Sequence, residues 1–224
     1  MTSLTHLTLE VTDLTAAETF YAASGLGAHV RLRAASDEPS DGFRGFSVSL
    51  TVERPADVRA LVEAAVDAGA TVLKPATKSF WGYGGVVRAP DGTIWKFASS
   101  EKKDTGPATG RVDRVVLLLG TTDMAATREF YVGQGLTVAK SFGRKYVEFA
   151  GSETPGGSES SRDSEGSGSG VTLALYPRKG LAKDVGVPVD GSGAHRIVLG
   201  GSGDGSFTDP DGFAWEPAAL TTPR

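Results

Sequence analysis

The chain has 224 residues, 39% hydrophobic and 22% charged, with a formal net charge of -4 and no cysteine. That composition is ordinary for a globular protein and gives no basic footprint for nucleic acid, while the missing thiols exclude cysteine catalysis, disulfides and thiolate metal sites. No apolar run approaches the roughly 18 residues of a membrane span, and the opening Met1-Thr2-Ser3-Leu4-Thr5-His6 has neither a basic nor an apolar leader region, so no membrane partner and a cytoplasmic location are expected.

Leu4 to Val11 alternates, with His6 on the more polar side and Leu7, Leu9 and Val11 on the other, which predicts a half-buried strand. Asp13 or Thr15 caps a helix whose stripe is Leu14, Ala17, Phe20 and Tyr21, ending at Gly25. Strands follow near Ala28–Arg33 and Phe43–Val52, then a second helix over Asp57–Ala68, closed by Gly69. The stretch Ser79 to Val87 is rich in glycine and aromatics, including Trp81 and Tyr83, and runs into the turn Pro90-Asp91-Gly92 and a closing strand Ile94–Ala98. Residues 101–110 read as a polar linker.

The same signals then return. Thr12-Asp13-Leu14 with Phe20-Tyr21 recurs as Thr122-Asp123-Met124 with Phe130-Tyr131, and Pro90-Asp91-Gly92 with Trp95 recurs as Pro210-Asp211-Gly212 with Trp215. The chain therefore reads as two copies of one unit, 1–100 and 111–224. In the second, a strand Arg111–Leu119 precedes a helix Asp123–Val132, and strands near Tyr146–Phe149 and Val171–Tyr176 flank a Gly/Ser/Glu tract, 151–170, expected to be a mobile insertion. No counterpart of the Asp57–Ala68 helix is visible in the second copy.

These motifs, His6-x-x-Leu9-x-Val11-x-Asp13-Leu14 followed by Phe20-Tyr21, and Asp209-Pro210-Asp211-Gly212-x-x-x-Glu216, resemble the vicinal oxygen chelate superfamily of glyoxalase I, extradiol dioxygenases and bleomycin-resistance proteins. The resemblance implies an α+β, glyoxalase-like fold: two tandem βαβββ modules forming a cup-shaped, mostly antiparallel sheet, in a monomer or homodimer. It also implies that first-strand and last-strand positions, here His6, Arg114, Lys96 and Glu216, enter the cup. Arg114 is a permanent cation and Lys96 would have to lose its proton to coordinate, so a four-ligand metal site is disfavoured and Arg114 is expected to pair with Glu216 in its place.

Two functions from different classes follow. A cup holding His6, Lys96 and Arg114, with Trp81 and Tyr83 as aromatic walls, suits metal-independent binding or sequestering of a small anionic or polar molecule. The alternative is a glyoxalase-like lyase, isomerase or dioxygenase holding Ni²⁺, Zn²⁺, Mn²⁺ or Fe²⁺ through His6, His195 and Glu216. In a metal-free enzyme, His195 or Glu216 would be the general base.

Overall fold

A computed structural model describes residues 3–151 and 170–218. The expected insertion at 151–170 lies almost wholly outside the described residues. The first strand, β1 (Leu4–Val11), is followed by α1 (Leu14–Ala23), capped as expected by the Asp13 carboxylate, which accepts from Ala16 N. A 3-10 turn (Leu26–His29) leads to β2 (Arg31–Ala34), β3 (Ser40–Gly42) and β4 (Phe46–Thr51). Helix α2 (Pro55–Asp67) begins with proline at its first position, where no amide donor is needed, and Gly69 follows at φ 111°. Then come β5 (Thr71–Ser79), β6 (Gly82–Arg88) and β7 (Ile94–Ser99).

The second half opens with β8 (Arg114–Thr121) and α3 (Met124–Gly133), capped by Asp123. Next are β9 (Val138–Ser141), β10 (Val147–Phe149), β11 (Val171–Pro177) and a helix α4 (Arg178–Val185). Strands β12 (Gly191–Gly193), β13 (Ile197–Gly201), β14 (Phe207–Thr208) and β15 (Ala214–Pro217) close it. As the sequence suggests, no helix separates β13 from the closing strands. Helix α4 and the strands β5 and β9 are elements that sequence reading missed.

The sheets are shared between the halves. One has five strands in the order β14-β15-β13-β1-β2, and the other eight in the order β5-β6-β7-β4-β8-β11-β10-β9. Each half thus carries more than one strand-helix-strand unit. The β4-α2-β5-β6-β7 run joins β8-α3-β9-β10-β11 across the antiparallel β4–β8 seam, while β1 leaves its own half and pairs antiparallel with β13. Most strand pairs are antiparallel; the first and last strands of a unit lie parallel, as β4 with β7 and β8 with β11.

One core fills the space between the two sheets and α1, α2 and α3, with Leu7, Leu9, Tyr21, Trp95, Leu117, Tyr131, Leu199 and Trp215 inside it. This explains the repeated motifs. The Trp95 indole donates to Tyr21 Oη (3.5 Å), which donates to Asp91 of the Pro-Asp-Gly turn (3.2 Å). In the second half Trp215 donates to Tyr131 Oη (3.2 Å), and Tyr131 donates to Asp209 (2.6 Å), while Asp211 accepts from Thr127 and from Thr122 N. Each cluster ties a helix to a closing strand and satisfies polar groups that burial would otherwise penalise by about 1–3 kcal/mol each. The expected linker is pinned too: Asp57 at the start of α2 accepts from Thr109 and Gly110 amides, and Asp104 accepts from Ala56 N and Arg59.

Candidate functional site

Strand alternation gives each sheet an inner face toward the common core and an outer face. On the eight-stranded sheet, Trp95 and Phe97 point inward and Lys96 points outward, in a row with Val86, Ser49, Val116 and Thr172 on successive strands. Arg114, at the start of β8, shares the parity of Val116 and so the same face. On the five-stranded sheet, Leu7 and Leu9 point inward, leaving His6 and Glu10 outside beside Arg31 and Arg33 of β2 and Glu216 of β15.

The four positions expected to converge in one cup are therefore divided two and two: Lys96 with Arg114, and His6 with Glu216. The expected Arg114–Glu216 ion pair does not form. Arg114 donates to Glu148 on β10 (2.9 Å), and Glu216 is held bidentately by Arg33 (3.0 and 3.1 Å), which also grips Glu10 (2.8 Å). The cause is topological: β8 and β15 belong to different sheets, so each charge meets a carboxylate or guanidinium on its own sheet.

His6 lies in register with Gly200, and Gly200 with Glu216. Thr5 Oγ1 donates to Gly200 O (2.8 Å), so it accepts from His6 Nδ1 at 3.0 Å; Nε2 then carries the lone pair and accepts from Arg31 at 3.1 Å. Burial, and next the Arg31 charge, hold the imidazole below its ordinary pKa, with Glu216 opposing them. His195 does not join this group. It precedes β13, its two ring nitrogens face Arg44 O (2.6 Å) and Asp211 O (3.0 Å), and its ring stacks on Phe213 at 4.1 Å. Both nitrogens are turned to backbone carbonyls, and among the described residues His6, His195 and Glu216 do not form a group that could hold a metal ion.

Trp81 sits at the tip of the β5–β6 hairpin, 84% exposed and edge-on to Phe80. Tyr83 lies on the inner face, opposite in parity to Val86 and Lys96, where its hydroxyl donates to Ala76 O and Arg59 covers its ring. The two aromatics do not share a wall with Lys96.

Residues that sequence reading passed over build the outer face of the larger sheet. Helix α4 lies across it, with Leu181, Ala182 and Val185 fully buried against Phe43, Val86, Ile94, Val116, Leu118 and Ala174. Its Asp184 pairs with Lys96 at 2.5 Å, and Lys74 donates to the carbonyls of Lys183 (2.9 Å) and Asp184 (2.5 Å), meeting the negative end of the helix. Tyr146 donates to Glu148, and burial first, then that hydrogen bond, pushes its hydroxyl pKa up. Tyr176 is raised as well, by burial and then by Asp184 and Glu148. Between the rim of α4 and the sheet is a cavity of about 460 Å³ lined by Lys74, Lys145, Tyr176, Pro177, Gly180, Lys183 and Asp184.

The donor set does not fit a divalent metal. Among the described residues no three His, Asp or Glu side chains come together. His6 Nε2 and the Glu216 carboxylate already face guanidinium groups, and a divalent ion about 4 Å from one of these would meet about 8 kcal/mol of repulsion at an effective dielectric of 20.

Residues 9–97 match the model of the Glyoxalase/Bleomycin resistance protein/Dioxygenase superfamily. No curated protein sequence matches the chain. Among solved structures, glyoxalase I from Zea mays is similar at TM-score 0.55 and 14% identity, over 96% of this chain and 91% of that one. A mutant of the same enzyme gives 0.57 and 13%, again over 96% of this chain and 91% of that one. A putative dioxygenase from Bacillus subtilis gives 0.50 and 12%, over 88% and 69%. At such identities the likeness concerns the fold.

Proposed function

We propose that this chain, whose residues 9–97 match the glyoxalase, bleomycin-resistance and dioxygenase superfamily, binds or sequesters a small anionic or polar molecule without a metal ion. One observation carries this reading: arginine and lysine side chains stand against the groups that would otherwise coordinate. Arg31 faces His6, Arg33 faces Glu216, and Arg114 and Lys96 take the remaining candidate positions.

The cavity beside α4 is the place this reading assigns to the ligand. Its volume lies in the range of small-molecule sites. Lys74, Lys145 and Lys183 set its charge, Asp184 is the one carboxylate in its lining, and Tyr176 and Pro177 supply apolar wall. On the same outer face Lys96 pairs with Asp184 and Arg114 with Glu148. The protein acts in this reading as a cytoplasmic monomer or homodimer.

The alternative, a divalent-metal lyase or dioxygenase, has one observation on its side: His6 and Glu216 share a row across Gly200. Metal retention separates the two. Protein offered Ni²⁺, Zn²⁺, Mn²⁺ and Fe²⁺ and then desalted is expected to keep none by mass spectrometry, and to bind small carboxylates unchanged in the presence of a chelator. Near-stoichiometric retention that is lost in Glu216→Gln would overturn the metal-independent reading.

A further inference from the structure

We propose that Asp184 is a resident competitor for Lys96, and that the cavity takes a small aryl or alkyl carboxylate or phosphate monoester whose acid group displaces it. This rests on the reading above that the cavity binds an anion without metal.

The position of Asp184 is the first argument. It falls in the last turn of α4, where the helix macrodipole is negative and an acid is unfavourable. Lys74 is committed to the main-chain carbonyls of that turn, so the ammonium recorded on the Asp184 carboxylate is that of Lys96, 2.5 Å away. The Lys96 and Asp184 side chains remain 24% and 38% exposed. The pair is neither sealed in the core nor free in solvent, and an incoming oxyanion can reach it from the cavity that Asp184 lines.

Charge and shape set the class. Three ammonium groups and one carboxylate line the cavity, with the Lys96 ammonium behind that carboxylate. Lys145 and Lys183 carry no side-chain ion pair among the described residues, and an added anion offsets their charge. Beside them, Tyr176, Pro177 and the bare backbone of Gly180 leave room for a compact flat body rather than a second charged group. An acid group at Lys96 turns the Asp184 carboxylate outward, away from the negative end of α4, so the displacement offsets part of its own cost.

The test is calorimetric titration of benzoate, phenyl phosphate and neutral benzamide into the wild type, Asp184→Asn, Lys96→Met and the double variant. Both acids, or the one whose geometry suits the site, should bind while benzamide does not, which also separates carboxylate from phosphate recognition. Asp184→Asn should tighten acid binding about fivefold, the upper range for a partly exposed pair. Lys96→Met should weaken it by at least as much, and the double variant should show none of the gain. Acid binding that Asp184→Asn leaves unchanged or weaker would overturn the competitor role and leave the anion-binding reading intact. If neither acid binds the wild type or Asp184→Asn, both fall.

Discussion

The imidazole of His6 rests directly over Gly200: a Cβ at position 200 would stand 2.0 Å from His6 Cε1 and 2.4 Å from each ring nitrogen. A methyl group there must push the ring out of its hydrogen bonds with Thr5 and Arg31. Gly200→Ala is expected to cost about 1–3 kcal/mol in stability, the range for overpacking. Denaturant unfolding measures the loss, and the His6 ring resonances should move with it.

Burial, and next the Arg31 charge, make His6 a reporter of pH. Its folded pKa lies below the ordinary 6.5, so the unfolded chain takes up a proton first as pH falls. The stability contribution of neutral His6 is therefore full above pH 6.5 and is lost as pH drops from there through the folded value. Nuclear magnetic resonance titration should give a His6 midpoint below 6.5, and in Arg31→Ala the midpoint should rise toward it.

Helix α4 is built into the fold rather than laid over it. Leu181 is completely buried against the outer face of the larger sheet, so Leu181→Ala should cost about 2–4 kcal/mol in urea unfolding. A variant that lost less than about 1 kcal/mol would mean that α4 is loosely held.

Asp57 ties the segment between the halves to α2. Burial alone would raise its pKa, but the Thr109 and Gly110 amides and the Thr109 hydroxyl outweigh that and hold it below the usual carboxylate value. A lowered folded pKa means stabilisation that is complete above the unfolded value, about 3.9, and lost as pH falls through the folded one. The difference in unfolding free energy between wild type and Asp57→Ala should be about 1–3 kcal/mol at pH 7 and should shrink below pH 4.

Much of this architecture was legible in the residues. Asp13 and Asp123 announce their helices by capping, and the Trp95–Tyr21 and Trp215–Tyr131 contacts surface as a repeated motif because each half must solve the same buried-hydroxyl problem. The inward turn of Trp95, with Lys96 outward, follows from alternation alone. Helix α4 was hidden because it is eight residues long, contains Gly180 and three cations, and shows its apolar face in only Leu181, Ala182 and Val185.

The candidate site was read less well, for a different reason. Local pattern says which face a side chain takes, but it does not say which distant strand lies beside it. Lys96 and Arg114 share one sheet and His6 and Glu216 the other because β1 pairs with β13 and β4 with β8, registers that no short-range signal encodes. Glu148, the actual partner of Arg114, is spaced like an outward residue between Val147 and Phe149, and its role becomes visible once β10 is placed two strands away.

The crossed strand pairing also bears on how the chain is made. Thr5 meets Gly200 across 195 positions, whereas the eight-stranded sheet needs nothing beyond β11. At a synthesis rate of about 5–20 residues per second, one edge of β1 waits on the order of ten seconds or more for β13 to emerge from the ribosome. An exposed strand edge is an invitation to aggregate, and the Thr5, His6, Thr8 and Glu10 side of β1 blunts it with polar groups during that interval. His6, on which a binding role was first sought, is thus also one of the side chains that shield the nascent chain while it is still incomplete.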